Sequence, residues 1–305
     1  MQSAIPDDAQ GTERLLFLYS PASPEFDHAR QPATKTFRSR GDGRFEKTQT
    51  FPHRATLWRA RYSRPFDGIR DLADGLSEAE RLPQAFRVQA DLNPETCDIL
   101  RPEDGLIEAD GVINRRYLHH DDRRPPNLQE LEGGGTRALF VDVDGAPLPE
   151  WFEAENFDPR ESPDTLRKLV RFAASEYLPA ELSDATLFYQ WSSSAGLTKV
   201  AGNTYRSAWT DLSLHFWFWL DRPAYRESLK QWLGNYEHVD PTVYKPTQPQ
   251  YTAAPVFKGG ASDPLEGVRS GLLDGQRETA ELPPNHGRII LLIIGSKKLW
   301  MVVAS

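Results

Sequence analysis

Asp142 and Asp144 stand one residue apart at the end of the apolar run Arg137–Val143. Residues i and i+2 of a strand project to the same side, so both carboxylates come within reach of a common cation, and hard oxygen ligands of this kind suit Mg²⁺. Such cations can bridge an attacking hydroxyl and a triphosphate, where in-line displacement at phosphorus develops charge on both oxygens. A D-x-D after a strand is also the ordinary sequence of two solvated acids before a turn, here at Gly145. A third acid, Asp240, follows Val239 in a separate extended segment, and Asp before Pro241 equally reads as a turn former. His215, with Ser213, lies in Leu212–Leu220 (LSLHFWFWL). An imidazole N–H or imidazolium there could hold a phosphate oxygen, while a lone histidine in an aromatic strand is more often a satisfied, partly buried side chain.

These residues need a sheet to hold them. Arg137–Val143 is the clearest strand, rich in β-branched and aromatic residues, and Thr186–Trp191 reads as a second. Leu212–Leu220 is a third. Its alternation places Leu212, Leu214, Phe216, Phe218 and Leu220 on one face, expected to be core, and Ser213, His215, Trp217 and Trp219 on the other. The two tryptophans could stack on a base or pack beneath a helix. Between the first two strands, Ser162-Pro163 opens a helix with apolar residues at 166, 169, 170, 173, 174 and 177, stopped by Pro179. Ser192–Gly196 is a Ser/Gly loop, read as a connection or as a segment closing over a ligand. Ala224–Leu233 suggests a short helix and Glu237–Tyr244 an extended segment. An early strand falls in Arg14–Tyr19 and a helical patch at Ile69–Leu76. Ile289–Ala304 could form two short strands joined by Gly295–Lys298.

Between Arg30 and Arg64 there are ten Lys/Arg against Asp42 and Glu46. Phe37, Phe45, Phe51, Trp58 and Tyr62 are interleaved with them, a composition suited to a groove that combines phosphate contacts with base stacking. Arg38, Arg40, Arg44, Lys47, Arg59 and Arg61 are the candidate DNA contacts. A solvated basic face is an equal reading, and the formal charge of −8 weighs mildly against nucleic acid.

The order RALFVDVDG, then SLH within LSLHFWFWLD, then VDPTVY closely resembles three motifs of the archaeo-eukaryotic primase superfamily, including PrimPol-type enzymes: hhhDhD/E, S-x-H and hD. The resemblance runs over about residues 110 to 260. It implies that Asp142, Asp144 and Asp240 are catalytic and bind two divalent ions, Mg²⁺ or Mn²⁺, while Ser213 and His215 contact the phosphates of the incoming nucleotide. It also implies an α+β primase fold, with an RRM-like antiparallel catalytic sheet packed with helices over residues 131–285 and an N-terminal α/β lobe over 1–130. Residues 286–305 form a tail. The implied partners are a single-stranded DNA template, nucleoside triphosphates and a separate replicative helicase. The sequence departs from the family where Lys245–Tyr251 (KPTQPQY) lacks arginines, and it has no Cys/His zinc element and no phosphate-loop motif for a helicase.

Length and composition fit one large domain or two modest ones of α+β type, with 24 prolines and 21 glycines marking many turns. The single Cys97 implies neither a disulfide framework nor a Cys-rich zinc site. Residues 1–11 lack the pattern of a secretory signal and no apolar stretch reaches the roughly 20 residues of a membrane span, so the expected setting is cytoplasmic, without membrane contact. Two further functions fit the same residues: a non-catalytic DNA-binding replication protein, and a metal-dependent phosphotransferase or nuclease. The S-x-H and VDPTVY matches favour the last of these least.

Overall fold

The structure, a computed structural model, describes residues 13–22, 31–49, 57–100, 106–115, 127–129, 131, 135–155, 157–284, 289–294 and 297–302. It is a mixed α+β fold rich in sheet. The expected strand at Arg14–Tyr19 is β1 (Leu16–Tyr19); it is followed by β2 (Thr36–Ser39), β3 (Arg44–Gln49), β4 (Leu57–Tyr62), α1 (Ile69–Glu80) and β5 (Ala85–Val88). Then come β6 (Thr136–Ala146), α2 (Pro163–Tyr177), β7 (Leu187–Trp191), β8 (Leu197–Ala201), β9 (Thr204–Ser207), β10 (Leu212–Ala224) and α3 (Arg226–Leu233). The later strands are β11 (Val256–Lys258), β12 (Ser270–Leu273), β13 (Ile289–Ile294) and β14 (Lys297–Val302), the last two pairing as the expected hairpin.

The central sheet runs β6-β10-β7-β12, and its strand pairs are antiparallel. Because β10 lies between β6 and β7 although it follows both in the chain, α2 is a crossover that leaves a strand-wide gap for β10 to fill. Helix α2 buries Leu166, Leu169, Val170, Ala173 and Ala174, the stripe its 3.6-residue period calls for. Ser162 stands at its N-cap without a side-chain capping bond. Helix α1 buries Ile69, Leu72, Ala73, Leu76 and Ala79 into the same core, and its last residue, Glu80, accepts a hydrogen bond from Ser270 of β12.

One expectation fails at β10. Only one face of Leu212–Leu220 was expected to be core, but every residue of this stretch is buried, with Trp217 0% and Trp219 2% exposed. The tryptophans do not stack on a ligand; Phe140 packs on Trp217 with 4.8 Å between ring centroids, and the Arg87 guanidinium of β5 lies 5.3 Å from the Trp217 ring. The second face is covered because the N-terminal part of the chain lies on it.

That part contains a sheet ordered β5-β1-β4, extended by the two-residue strands Glu108–Ala109 and Ile99–Leu100, with its own smaller core around Trp58, Phe86 and Ile113. A third sheet, β8-β9-β3-β2-β11, draws strands from three distant stretches of chain. The Ser/Gly loop therefore leads into a β8–β9 hairpin. No helix among the described residues is long and apolar enough to cross a membrane.

Candidate active site

Strand register builds the site. Asp142 of β6 pairs with His215 of β10, His215 with Gln190 of β7, and Gln190 with Ser270 of β12, so one polar row crosses all four strands. Directly opposed residues share a face. The adjacent row on that face is Phe140, Trp217, Phe188 and Leu272, an apolar floor two residues away. Polar groups are thus gathered at one end of an otherwise apolar face.

The chain is bulged beyond Asp142. Register shifts between Val143 and Ala146, and Gly145 adopts φ +65°, a left-handed conformation that suits glycine. The Asp144 N–H points to the free edge of β6, as the backbone groups of Phe140 and Asp142 do, and donates to His238 O at 3.0 Å. Val143 bridges Val239, and the Asp240 N–H donates to Asp142 O at 2.9 Å. The segment carrying the third acid is therefore zipped onto the free edge of β6. Tyr244 fastens it from below, its buried hydroxyl donating to Phe140 O at 2.9 Å.

Ser213 holds the bulge from the other side. Its Oγ accepts from the Gly145 N–H at 3.2 Å and lies 2.9 Å from Asp144 Oδ1 and 3.1 Å from Asp211 Oδ1, to one of which its single proton is donated. His215 is 6% exposed, with Nε2 3.6 Å from Asp142 Oδ1. Burial, reinforced by the Lys35 charge, pushes its pKa down to about 4, so the ring is neutral at pH 7 and offers an N–H rather than a positive charge. Asp142 moves the opposite way. Burial, then Asp144 and Asp240, raise its pKa to about 7, against the opposing pull of Lys35.

The five motif residues thus come together, Asp142, Asp144, Ser213, His215 and Asp240. The Asp240 carboxylate also caps the 3-10 turn Pro241–Tyr244, accepting from the Thr242 N–H and hydroxyl, each at 2.8 Å. Among the described residues no group of three or more His, Cys, Asp or Glu side chains forms a ready-made metal cage. The donor set nevertheless fits hard cations: Asp142 is held near neutrality partly by two neighbouring carboxylates, and each capped oxygen of Asp240 keeps a second lone pair.

Two cations missing from the sequence-derived site lie beside it, Lys35 acting on the acids and Arg269 on Lys35 and His215. Lys35, between β1 and β2, donates to Ser194 Oγ at 3.0 Å. Its pKa is lowered by burial and by Lys47, pulled back up by Asp144 and Asp142, and lowered again by Arg269. Arg269, 4% exposed, is gripped by Asp263 and donates to Ser192 O at 2.7 Å, while the Ser192 N–H donates to Ser213 O at 3.0 Å. Ser192–Gly196 is accordingly a fastened turn between the cations and β10. Lys35 was visible only as one member of the basic stretch; nothing in the local sequence marks Arg269.

No family model, curated protein or solved structure matches this chain. The functional reading rests on its own residues and motifs.

The candidate DNA contacts divide between two sheets. Arg38, Arg40, Arg44 and Lys47 belong to β2, β3 and their turn, whereas Arg59 and Arg61 lie on β4. Arg61 pairs with Glu108 at 2.9 Å, and both β4 arginines line a cavity of about 450 Å³ with Tyr19, Leu82 and Gln84. Arg30, Phe51 and Arg54 lie outside the described residues. The basic stretch is not one continuous stripe.

Proposed function

We propose that this chain is the catalytic domain of a DNA-template-directed primase-polymerase of the archaeo-eukaryotic type, an enzyme that makes primers and extends them by nucleotidyl transfer. One observation carries the reading: acids from separate segments, Asp142, Asp144 and Asp240, meet at one end of a sheet beside Ser213 and His215, with the Lys35 and Arg269 charges acting on the same place. The strand order β6-β10-β7 around the α2 crossover suits the RRM-like sheet that the motifs imply.

The two charge clusters are each internally repulsive. Burial, then the other carboxylates, pushes Asp142 toward neutrality, and burial, then Lys47 and Arg269, makes Lys35 easier to deprotonate against the opposing pull of Asp144 and Asp142. Divalent cations on the acids and a triphosphate on the basic side would relieve both at once. Bound Mg²⁺ or Mn²⁺ ions, held by Asp142, Asp144 and Asp240, would supply Lewis-acid stabilisation of the attacking and leaving oxygens. His215 donates a neutral N–H toward a phosphate oxygen, and Ser213 keeps Asp144 and the bulge in place. Lys35 compensates phosphate charge, and its bond to Ser194 couples nucleotide arrival to the fastened turn.

This function requires a single-stranded DNA template and nucleoside triphosphates, in a cytoplasmic setting, with unwinding left to a separate helicase. A mobile genetic element is a fitting source. Incubating the protein with single-stranded DNA, Mg²⁺ or Mn²⁺ and labelled nucleotides, with and without primer, tests it against an Asp142→Ala/Asp144→Ala control. Metal-dependent products lost in the control support the proposal; equal synthesis by a folded control overturns the site.

A second reading, a DNA-binding replication initiation protein without synthesis, is favoured by the capping role of Asp240, which gives that residue a structural use without metal. Template binding with no product in either metal would decide for it.

A further inference from the structure

The third sheet has two chemically different faces. Register puts Lys258 of β11 opposite Arg38 of β2, Arg38 opposite Glu46 of β3, and Glu46 opposite Thr204 of β9. Two positions along β3, Arg44 stands opposite Arg206, which pairs in turn with Thr198 of β8. Arg40 joins this face by donating to Thr204 Oγ1 at 3.1 Å. Arg38, Arg40, Arg44, Arg206 and Lys258 are all exposed, with Glu46 and Asp42 as the local acids. Phe37, Phe45, Tyr205 and Phe257 all lie on the other face, packed on one another.

Two of the direct pairs, Lys258 with Arg38 and Arg44 with Arg206, are like-charged. Such pairs oppose sheet formation, and single substitutions would remove them. A sequence that breaks a local rule in this way twice on one surface, within a chain of formal charge −8, indicates an anionic partner. The cations come from residues 38–44, 206 and 258, so the surface exists only in the folded chain. Because none of the described residues on this face is aromatic, these strands offer nothing for the bases of a single strand to stack on. Strands about 4.8 Å apart carry its charges across some 14 Å, a spread suited to phosphates of a stacked double helix.

We propose that the outer face of this sheet, formed by Arg38, Arg40, Arg44, Arg206 and Lys258, binds the phosphate backbone of duplex DNA without reading its sequence. The proposal rests on the nucleic-acid reading of the site and names a second contact for it. Lys47, on the opposite face with its ammonium 5.8 Å from the Tyr205 ring, connects the sheet electrostatically to Lys35 and so to the acids. The duplex lies across that sheet from the acids, as a contact separate from the catalytic site.

The test uses the full chain and a fluorescent duplex of about 20 base pairs with a matched single strand, titrated at several salt concentrations. Wild type is expected to prefer the duplex. In Arg206→Glu/Lys258→Glu each new acid faces an arginine, so the melting temperature should equal or exceed wild type while duplex affinity falls by about 100-fold. The salt slope should shrink by about two. Unchanged duplex affinity in the double variant overturns the proposal, as does a preference for single strands. Binding to anionic vesicles but not DNA, lost in the variant, would assign the face to a membrane surface instead. Asp142→Ala/Asp144→Ala should bind duplex like wild type. Duplex binding without synthesis sinks the catalytic reading alone, and synthesis with charge-insensitive duplex binding sinks this proposal alone.

Discussion

Asp142 and His215 face one another across β6 and β10, His215 Nε2 lying 3.6 Å from Asp142 Oδ1, and their pKa values are displaced in opposite directions. Burial disfavours the charged form of both groups, so the carboxyl holds its proton to about pH 7 while the imidazole loses its own near pH 4. The apo site therefore favours a neutral pair over an ion pair around pH 5 to 6.

The first expectation follows from linkage. Asp142 has a folded pKa of about 7 against 3.8 for the ordinary group, so between these values the folded state binds more protons and stability falls as pH rises. His215, at about 4 against 6.5, acts in the opposite sense over a similar range. Asp142→Asn removes the first contribution. In EDTA the variant should be more stable than wild type at pH 8, by a few kcal/mol, with the difference vanishing toward pH 4. Mg²⁺ should raise the melting temperature of wild type and not of the variant. Parallel stability profiles for the two proteins would contradict the raised pKa of this carboxylate.

Asp240 has two separable roles. Asp240→Ala deletes both bonds to Thr242 and should cost about 1 kcal/mol of stability, the usual value of an N-cap. Asp240→Asn keeps an acceptor for the Thr242 N–H and removes only the charge. Stability near wild type with synthesis reduced at least about 100-fold would identify a metal ligand, while full activity of the Asn variant would leave only the cap.

Lys35→Ala takes away a cation that lowers the pKa of Asp142 and would compensate phosphate charge. KM for the nucleoside triphosphate should rise about 10- to 100-fold, with a smaller fall in kcat. Lys35→Arg should restore part of the loss. A fall in kcat with KM unchanged would show that Lys35 serves another step.

Arg87 is fully buried, with its pKa lowered to about 10, and gives one N–H to Gln250 Oε1 while lying over Trp217. Removing the acceptor strands the charge, whereas removing the arginine leaves only a neutral amide unsatisfied. Gln250→Leu should therefore cost about 3 kcal/mol or more in chemical denaturation, and Arg87→Met less. Equal losses would mean that the cation–π contact, not the amide, compensates the guanidinium.

The sequence by itself determined the elements whose pattern is local. The alternation in Leu212–Leu220 placed Ser213 and His215 on one side of a strand, the 3.6-residue stripe from Leu166 specified α2, and the apolar run Ala138–Val141 before Asp142 specified β6. These signals depend on the backbone period of a single segment. The tertiary structure decided what lies against each face. Trp217 and Trp219 looked available for stacking because alternation says which residues share a side and not what covers it; the N-terminal part of the chain does so, with Arg87. Lys35 reaches Asp142 and Asp144 from more than 100 residues away and Arg269 reaches Lys35 and His215 from the other side of the chain, and Arg206 and Lys258 join Arg38 and Arg44 in a sheet only once register is set. Burial and like-charge proximity, which displace the pKa values of Asp142 and His215, are properties of those non-local pairings, so no stretch of sequence contains them.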